Sequence, residues 1–87
     1  MSKDFQLMIF TPEEKVFEDP VTSVVAPGEA GYLGILADHA SLVTTLKTGN
    51  LEVTDRSGQK NIWKIKSGFL EVNNNSATIL AEEIEPQ

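Results

Sequence analysis

One short stretch of the sequence holds the side chains that come nearest to a catalytic set. His39, the only histidine, stands beside Asp38 and close to Ser41. A Ser-His-Asp triad needs the imidazole between a hydroxyl and a carboxylate, but adjacent side chains on extended backbone point to opposite faces. We therefore interpret His39 as a loop residue that hydrogen-bonds locally or across an interface, and we predict no catalytic residue in this chain.

The other common chemical signatures are missing from the sequence. With one histidine and no cysteine, no spacing typical of a zinc site is present, and Asp38 has no partner acid at the spacing of a calcium loop. Lys47-Thr48 lacks the glycine frame of a phosphate-binding loop, while Glu13-Glu14 and Glu82-Glu83 are typical of a solvated face. We predict no metal and no cofactor, and an enzyme with His39 as a lone general base is the weakest alternative.

Length and charge narrow the classes of function further. A chain of 87 residues forms one domain with a small core. Thirteen acidic residues against seven basic ones give a formal net charge of −6, which opposes binding to nucleic acid or to anionic lipid. The longest apolar run, Leu7–Phe10, is far shorter than the ~20 residues that cross a bilayer. We expect no direct membrane insertion and, by default, an intracellular location.

The elements that must position any site alternate with a period of two, which indicates strands. Ser67-Gly68 is interpreted as the turn of a hairpin, residues 73–75 as a tight reversal, and residues 83–87 as an acidic, solvated tail. We expect an all-β chain, with residues 1–87 forming a single antiparallel β-sandwich or flattened barrel of about eight to ten short strands. The predicted strands include Phe5–Phe10, a short one through Val16 and Phe17, Val21–Ala26, Leu42–Leu46, Leu51–Thr54, Asn61–Lys66, Phe69–Val72 and Ala77–Ala81.

Glycines concentrate between Pro27 and Asn50. Gly28, Gly31 and Gly34 follow one another at three-residue intervals, which predicts a chain turning on itself rather than a regular strand. A shaped loop that leads into a firm strand is typical of a binding edge. The glycines that we assign to structural turns are Gly28, Gly34, Gly49 and Gly68.

Several strands also carry apolar residues at both parities. A two-layered fold needs only one apolar face on each sheet, so the additional apolar residues are candidates for a surface that a partner covers. The alternative is that strongly coiled sheets bury parts of both faces. The residues concerned are Phe10, Ile62, Phe69 and Leu80.

Motifs from the glycine-rich stretch and from both flanks resemble a known family. The segment Gly31–Leu36, followed by Asp38-His39-Ala40 and Leu42–Gly49, is similar to the central signature of the epsilon subunit of F-type ATP synthases. Ser67–Val72 and Ile79–Glu82 match in the same order, so the resemblance covers nearly the whole chain. Its extent is that of the amino-terminal β-sandwich domain, without the helical hairpin that usually follows in the family.

The resemblance implies a non-catalytic central-stalk (rotor) subunit that couples ion flow to ATP synthesis. It implies a peripheral location on the cytoplasmic face of the cell (inner) membrane, with the gamma subunit and the c-ring as partners. The residues that would face gamma are His39, Ala40, Leu42, Val43 and Thr44. The residues of the loop that would face the c-ring are Glu29, Ala30, Gly31 and Tyr32.

Four residues depart from the family pattern. Ala37-Asp38 stands where many members have Pro-Gly, Ser41 stands where they have proline, and Tyr32 stands where many have a second acid. Aspartate can adopt the left-handed backbone angles that glycine supplies, and Tyr32 would give the ring contact an aromatic character instead of charge. A different class of function stays open: a free-standing β module that binds a ligand or a carbohydrate, with Trp63 or Tyr32 as its stacking platform.

Overall fold

A computed structural model describes residues 3–87 and folds this range into seven strands. The strands are β1 (Phe5–Phe10), β2 (Lys15–Gly28), β3 (Gly31–Leu36), β4 (Leu42–Leu46), β5 (Gly49–Asp55), β6 (Lys60–Asn73) and β7 (Ser76–Pro86). Within the described range no helix could cross a membrane. The all-β prediction is confirmed, but the expected number of strands is too high because β2 and β6 each join two predicted strands. The prediction of a turning chain in place of a regular strand is wrong for Gly31–Leu36, which form β3.

The two long strands bring the sheet round on itself. β2 pairs first with β1 and then with β5 and β3, while β6 pairs first with β5 and then with β4. β7 lies between β6 and β1, so β1, β7, β6, β5 and β2 form a closed ring. Because the two halves of each long strand pair with different neighbours, the ring is flattened into the β-sandwich that the sequence predicts.

One strand pair differs from the expected antiparallel arrangement. β1 runs antiparallel to β2, but on its other edge it runs parallel to β7, with Gln6 beside Ser76 and Phe10 beside Leu80. Parallel neighbours need a long connection, and here that connection is the rest of the sandwich. Alternation identifies a strand but not its neighbour, so the sequence pattern could not show this pair.

The core contains side chains from all seven strands, and no polar or charged side chain between residues 3 and 87 is buried. β1 alternates as predicted. In β2 a bulge at Thr22 turns both Val21 and Val24 inward, although they are three residues apart. The Thr22 hydroxyl donates to the carbonyl oxygen of Thr54 (3.3 Å), so the residue displaced by the bulge keeps a partner on β5.

The predicted hairpin at Ser67-Gly68 is wrong, because β6 continues through it. Ser67 has a φ of 35° and Gly68 has no room for a side chain, so two residues with turn chemistry bend the strand instead of ending it. Buried positions change parity across this bend, from Ile65 to Leu70. The hairpin to β7 is made by Asn74 and Asn75, with φ values of 51° and 58°, as the asparagine run predicts.

The predicted acidic tail is part of a strand. β7 continues to Pro86, and its second half pairs with the first half of β6, from Glu83 beside Lys66 to Pro86 beside Trp63. From this segment Ile84 packs against the core. The acidic side chains are exposed, as expected, but the backbone that carries them is hydrogen-bonded. The acidic residues therefore predict correctly that the side chains are exposed, but they do not predict that the backbone forms a strand.

The glycines assigned to turns divide into two groups. Gly28 ends β2 and Gly49 begins β5, so both flank turns, whereas Gly34 and Gly68 lie inside β3 and β6. The assignment is wrong for the last two. Gly31, at a φ of 133°, has a backbone conformation that favours glycine. Spacing in the sequence cannot separate a glycine that a turn requires from one that a neighbouring strand requires.

Candidate partner-binding site

The loop between β3 and β4, residues 37–41, carries the histidine that the sequence singles out. Asp38 has a φ of 64°, the left-handed conformation that glycine adopts more readily. The His39 N–H donates to the Leu36 carbonyl oxygen (3.2 Å) and closes the turn. His39 Nδ1 lies 2.7 Å from the Ala40 carbonyl oxygen. Because a carbonyl oxygen only accepts, Nδ1 is the donor in this hydrogen bond.

The side chains around His39 bond to partners other than one another. The Asp38 carboxylate pairs with Lys3 Nζ at 3.0 Å, and Ser41 Oγ donates to Asn73 Oδ1 at 3.4 Å. Within the part of the chain that the structure describes, no three potential metal ligands cluster together. The loop presents a hydrogen-bonding ring, and its geometry does not activate a nucleophile.

Strand β4 divides the residues assigned to gamma. Val43 is 73% exposed on the outside of the sandwich, whereas Leu42 packs against the core. Thr44 shares the parity of Leu42 and is half-buried. Leu42 and Thr44 therefore lie on the inward side of β4, while His39, Ala40 and Val43 lie at or near the surface, and the assignment of the five residues to gamma stays a prediction. A charge at Leu42 would test the fold, and Val43 is the position at which to test binding.

Val43 shares the outward side of β4 with Thr45, and Thr45 borders an apolar surface on β6, β7 and β1. Leu80 on β7 lies beside Phe10 on β1 and beside Phe69 on β6, and Phe69 lies beside Thr45 on β4. Phe69 is 55% exposed and Leu80 is 51% exposed. A groove of about 540 Å³ runs along this surface. We call the residues Phe10, Val43, Phe69 and Leu80 the outer apolar face; the off-parity pattern of the sequence identifies three of them and misses Val43.

The loop assigned to the c-ring is the tip of the β2–β3 hairpin, residues 29–32. Glu29-Ala30 forms a two-residue turn between the paired residues Gly28 and Gly31. Tyr32 is 61% exposed, and its hydroxyl accepts a hydrogen bond from the Asn50 N–H (3.1 Å). The structure brings the four predicted residues together, and the tyrosine fixes the hairpin tip against the start of β5.

Both aromatic residues that could serve as stacking platforms are engaged in the fold. Trp63 is half-buried and packs edge-to-face on Phe17, with ring centroids 5.6 Å apart and ring planes at 74°. Tyr32 is held through its hydroxyl. A stacking platform needs an open aromatic face, so these contacts favour a structural role for Trp63, whereas the ring of Tyr32 stays exposed.

One carboxylate lies in a network of short hydrogen bonds away from the loop. Asp55 Oδ1 accepts bonds from Ser57 Oγ (2.7 Å), Ser57 N–H (2.9 Å) and Gln59 N–H (2.9 Å). The Ser57 hydroxyl first, and then the backbone N–H groups, hold the pKa of Asp55 below its usual range. The arrangement closes the β5–β6 turn and thereby serves the fold.

Sequence reasoning missed the contacts that hold the His39 loop from outside. The asparagine run at 73–75 predicts a turn, but Asn75 also bonds to Asp38 through its side chain (2.8 Å). The two residues are 37 positions apart, and no spacing rule links them. The sequence offers no signal for this contact, because Asn75 is also one of the two residues that form the turn.

The same sequence pattern and fold occur in known proteins. The family model of the ATP synthase delta/epsilon chain, beta-sandwich domain, matches residues 4–87. The ATP synthase epsilon chain of Dichelobacter nodosus is 40% identical over 83 residues, which cover 95% of this chain and 58% of that protein. The epsilon chain of Chlorobium limicola is 38% identical over 82 residues, which cover 94% of this chain and 93% of that protein.

Solved structures agree with the sequence comparison. A chain of the Euglena gracilis mitochondrial ATP synthase, determined as OSCP/F1/c-ring, superposes with a TM-score of 0.91 at 29% identity, over 95% of this chain and 53% of that one. A chain from the central stalk and c-ring of the Tetrahymena thermophila mitochondrial ATP synthase superposes with a TM-score of 0.82 at 13% identity. The match covers 98% of this chain and 68% of that one, and at this identity it shows only that the fold is shared. The chain spans between 55% and 64% of the length of several curated epsilon chains that it matches.

Proposed function

The chain belongs to the ATP synthase delta/epsilon family, whose β-sandwich domain it matches, and from this premise we propose that it is a non-catalytic central-stalk (rotor) subunit of an F-type ATP synthase. It binds the gamma subunit with the His39 loop and the outer apolar face. It contacts the c-ring with the hairpin tip. By holding these two partners it couples ion flow to ATP synthesis, as a peripheral protein on the cytoplasmic face of the inner membrane.

The outer apolar face is the observation that carries this proposal. Contiguous exposed apolar groups on a small soluble domain typically mark a surface that a partner covers. Phe69 and Leu80 are neighbours across β6 and β7, and each exposes more than half of its surface. Large apolar side chains of this kind are the usual anchors of a protein interface. A stable complex needs about 1,200 Å² or more of buried surface in total, and the His39 loop extends the face toward that size.

The hairpin tip provides a separate surface for the second partner. It joins β3 at one end, and the His39 loop joins β3 at the other. Six residues of extended chain span about 20 Å, so the two contacts lie far enough apart for each partner to bind without competing for the same residues. Glu29 supplies a charge and Ala30 and Gly31 allow close approach of a polar loop.

A matched pair of substitutions tests the contact with gamma. Phe69→Lys places a charge in the outer apolar face, while Ile62→Lys places the same charge on the first half of the same strand, at an exposed apolar residue outside the face. We expect the first to weaken gamma binding at least tenfold, since it leaves a buried and unpaired charge, and the second to change it less than twofold. Isothermal titration calorimetry against purified gamma measures both affinities.

The same experiment can contradict the proposal. If the unmodified chain does not bind gamma, the rotor function is wrong. If both lysine variants bind like the unmodified chain while their unfolding midpoints are unchanged, gamma binds elsewhere and the outer apolar face has another role.

A further inference from the structure

We propose that Asn75 is a positioning residue that holds the His39 loop in the conformation that binds gamma; this inference rests on the proposed function. Asn75 lies in the β6–β7 turn and links three segments that are distant in sequence. Its side-chain Oδ1 accepts from the Asp38 N–H (2.8 Å), and its Nδ2 donates to the Asp4 carbonyl oxygen (3.0 Å). Its own carbonyl oxygen accepts from the Gln6 N–H (3.3 Å).

The loop needs external support because its backbone is not in a low-energy conformation. Asp38 has a φ of 64°, and the left-handed region is unfavourable for a residue other than glycine. The ion pair of Asp38 with Lys3 is exposed on both sides, at 62% and 77%, so solvent screening leaves it little strength. The hydrogen bond that Asn75 Oδ1 accepts from the Asp38 N–H is short (2.8 Å), and it holds the backbone of Asp38 itself.

The turn also supports the far end of the loop. Ser41 Oγ donates to Asn73 Oδ1 at 3.4 Å, so the same turn contacts the residues on both sides of His39. These contacts fix where the imidazole stands relative to β4. A loop that is ordered before binding loses less conformational entropy in the complex, and its affinity is correspondingly higher.

Neighbouring asparagines in the turn provide a matched test. Asn75→Gly removes the side-chain amide and keeps a residue that readily adopts a φ of 58°, while Asn74→Gly makes the same change at a φ of 51°. Within residues 3–87 the Asn74 side chain makes no hydrogen bond, whereas those of Asn73 and Asn75 do, so the control removes the same atoms without removing a hydrogen bond. Asn75→Asp keeps an acceptor for the Asp38 N–H and loses the donor to Asp4.

Two readouts separate positioning from folding. In the free 87-residue chain, amide exchange of Asp38 is expected to be faster in Asn75→Gly, nearly unchanged in Asn74→Gly, and largely restored in Asn75→Asp. Affinity for purified gamma is expected to fall about threefold to tenfold in Asn75→Gly, the range that corresponds to losing the neutral hydrogen bond between Asn75 and the Asp38 N–H of the loop. In Asn74→Gly it is expected to stay within twofold.

The outcomes distinguish this inference from the proposed function. If the unmodified chain binds gamma and Asn75→Gly binds as tightly, with unchanged exchange at Asp38, the positioning role is wrong and the rotor function stands. Equal losses in both glycine variants would assign the effect to the turn backbone and also overturn the role of the amide. If the unmodified chain fails to bind gamma, both proposals fall together.

Discussion

At Gly68, β6 passes so close to β7 that an added Cβ would lie 2.0 Å from the Leu80 carbonyl oxygen. The contact is with backbone, which cannot rotate away as a side chain can. Gly34, in β3, has no atom within 4 Å of the same position and no positive φ. The two glycines have similar local sequence signals, but only Gly68 is required by the neighbouring strand, β7.

This difference gives a paired prediction for stability. We expect Gly68→Ala to lower the free energy of unfolding by more than about 2 kcal/mol, since β6 and β7 must separate to admit the methyl group. Gly34→Ala should leave it unchanged or raise it by up to about 1 kcal/mol, because alanine restricts the unfolded chain. Denaturant unfolding of the two variants measures both values, and equal destabilisation would contradict the assignment of Gly68 to close strand contact.

Asp55 leads to a prediction about pH. Hydrogen bonds lower the pKa of this carboxyl in the folded state, so the unfolded chain takes up the proton more readily as pH falls. The stabilising contribution is thus present above the ordinary aspartate pKa of about 3.9 and is lost as pH falls through the lower folded-state value. Ser57→Ala removes the hydroxyl that contributes most to the shift.

The measurement is the unfolding midpoint of the unmodified chain and of Ser57→Ala between pH 2 and pH 7. We expect the variant to be less stable at neutral pH and the difference to shrink in acid. A difference that stays constant over the whole range would show that the hydroxyl acts through packing and not through the charge of Asp55.

Among the elements, β6 and β7 show why the sequence predicts some of this fold and not the rest. Alternation correctly identified β1 and the two halves of β6, and the asparagine run correctly identified the hairpin to β7. Ser67-Gly68 was read as a turn because serine and glycine have turn chemistry, but a bend within a strand uses the same residues. Whether the chain reverses or continues depends on the pairing of β6 with β7 on both sides of the bend, which the residue types at the bend do not determine.

The site was predictable to a similar degree. The resemblance identified the His39 loop and the hairpin tip, and the structure places the residues of each together. It could not show that Leu42 points inward and Val43 outward, because both are apolar and β-strand parity is set by pairing with β6. The hydrogen bond between Asn75 and Asp38 could not be predicted either, since it joins two loops that are 37 positions apart in the sequence.

Pairing along the second half of β7 leads to a prediction at the scale of the element. A chain ending at Ala81 loses the partners of Trp63, Lys64, Ile65 and Lys66 on β6, together with the packing of Ile84. We expect its denaturant midpoint to fall and the amides of the first half of β6 to exchange faster. A matched control replaces Glu82, Glu83 and Glu85 by glutamine, which removes the charge and keeps the strand. Equal midpoints for the truncated and full-length chains would mean that this segment contributes only charge.

For the molecule as a whole, the closed ring of strands is the feature that suits a coupling element. A force applied at one loop passes into strands that are hydrogen-bonded on both edges around the ring. The close-packed interior has few voids to absorb it. The hairpin tip and the His39 loop are both attached to β3, which pairs with β2 of this ring. In the proposed rotor function, a load taken up at one contact is carried to the other through the backbone of β3 rather than through a hinge.

This arrangement predicts that the two partner contacts can be removed separately. Glu29→Lys reverses the charge at the hairpin tip and should weaken association with a purified c-ring while leaving gamma affinity within twofold. Val43→Asp should do the reverse, because it places a charge on the outer apolar face. Sites with no shared partners act additively to within about 0.5 kcal/mol, so the double variant should combine the two losses without a further one.

Calorimetry against gamma and sedimentation with c-rings in detergent measure the two contacts. If Glu29→Lys lowered gamma affinity as much as Val43→Asp does, the tip and the face would form one surface, and the sandwich could not act as a spacer between two partners.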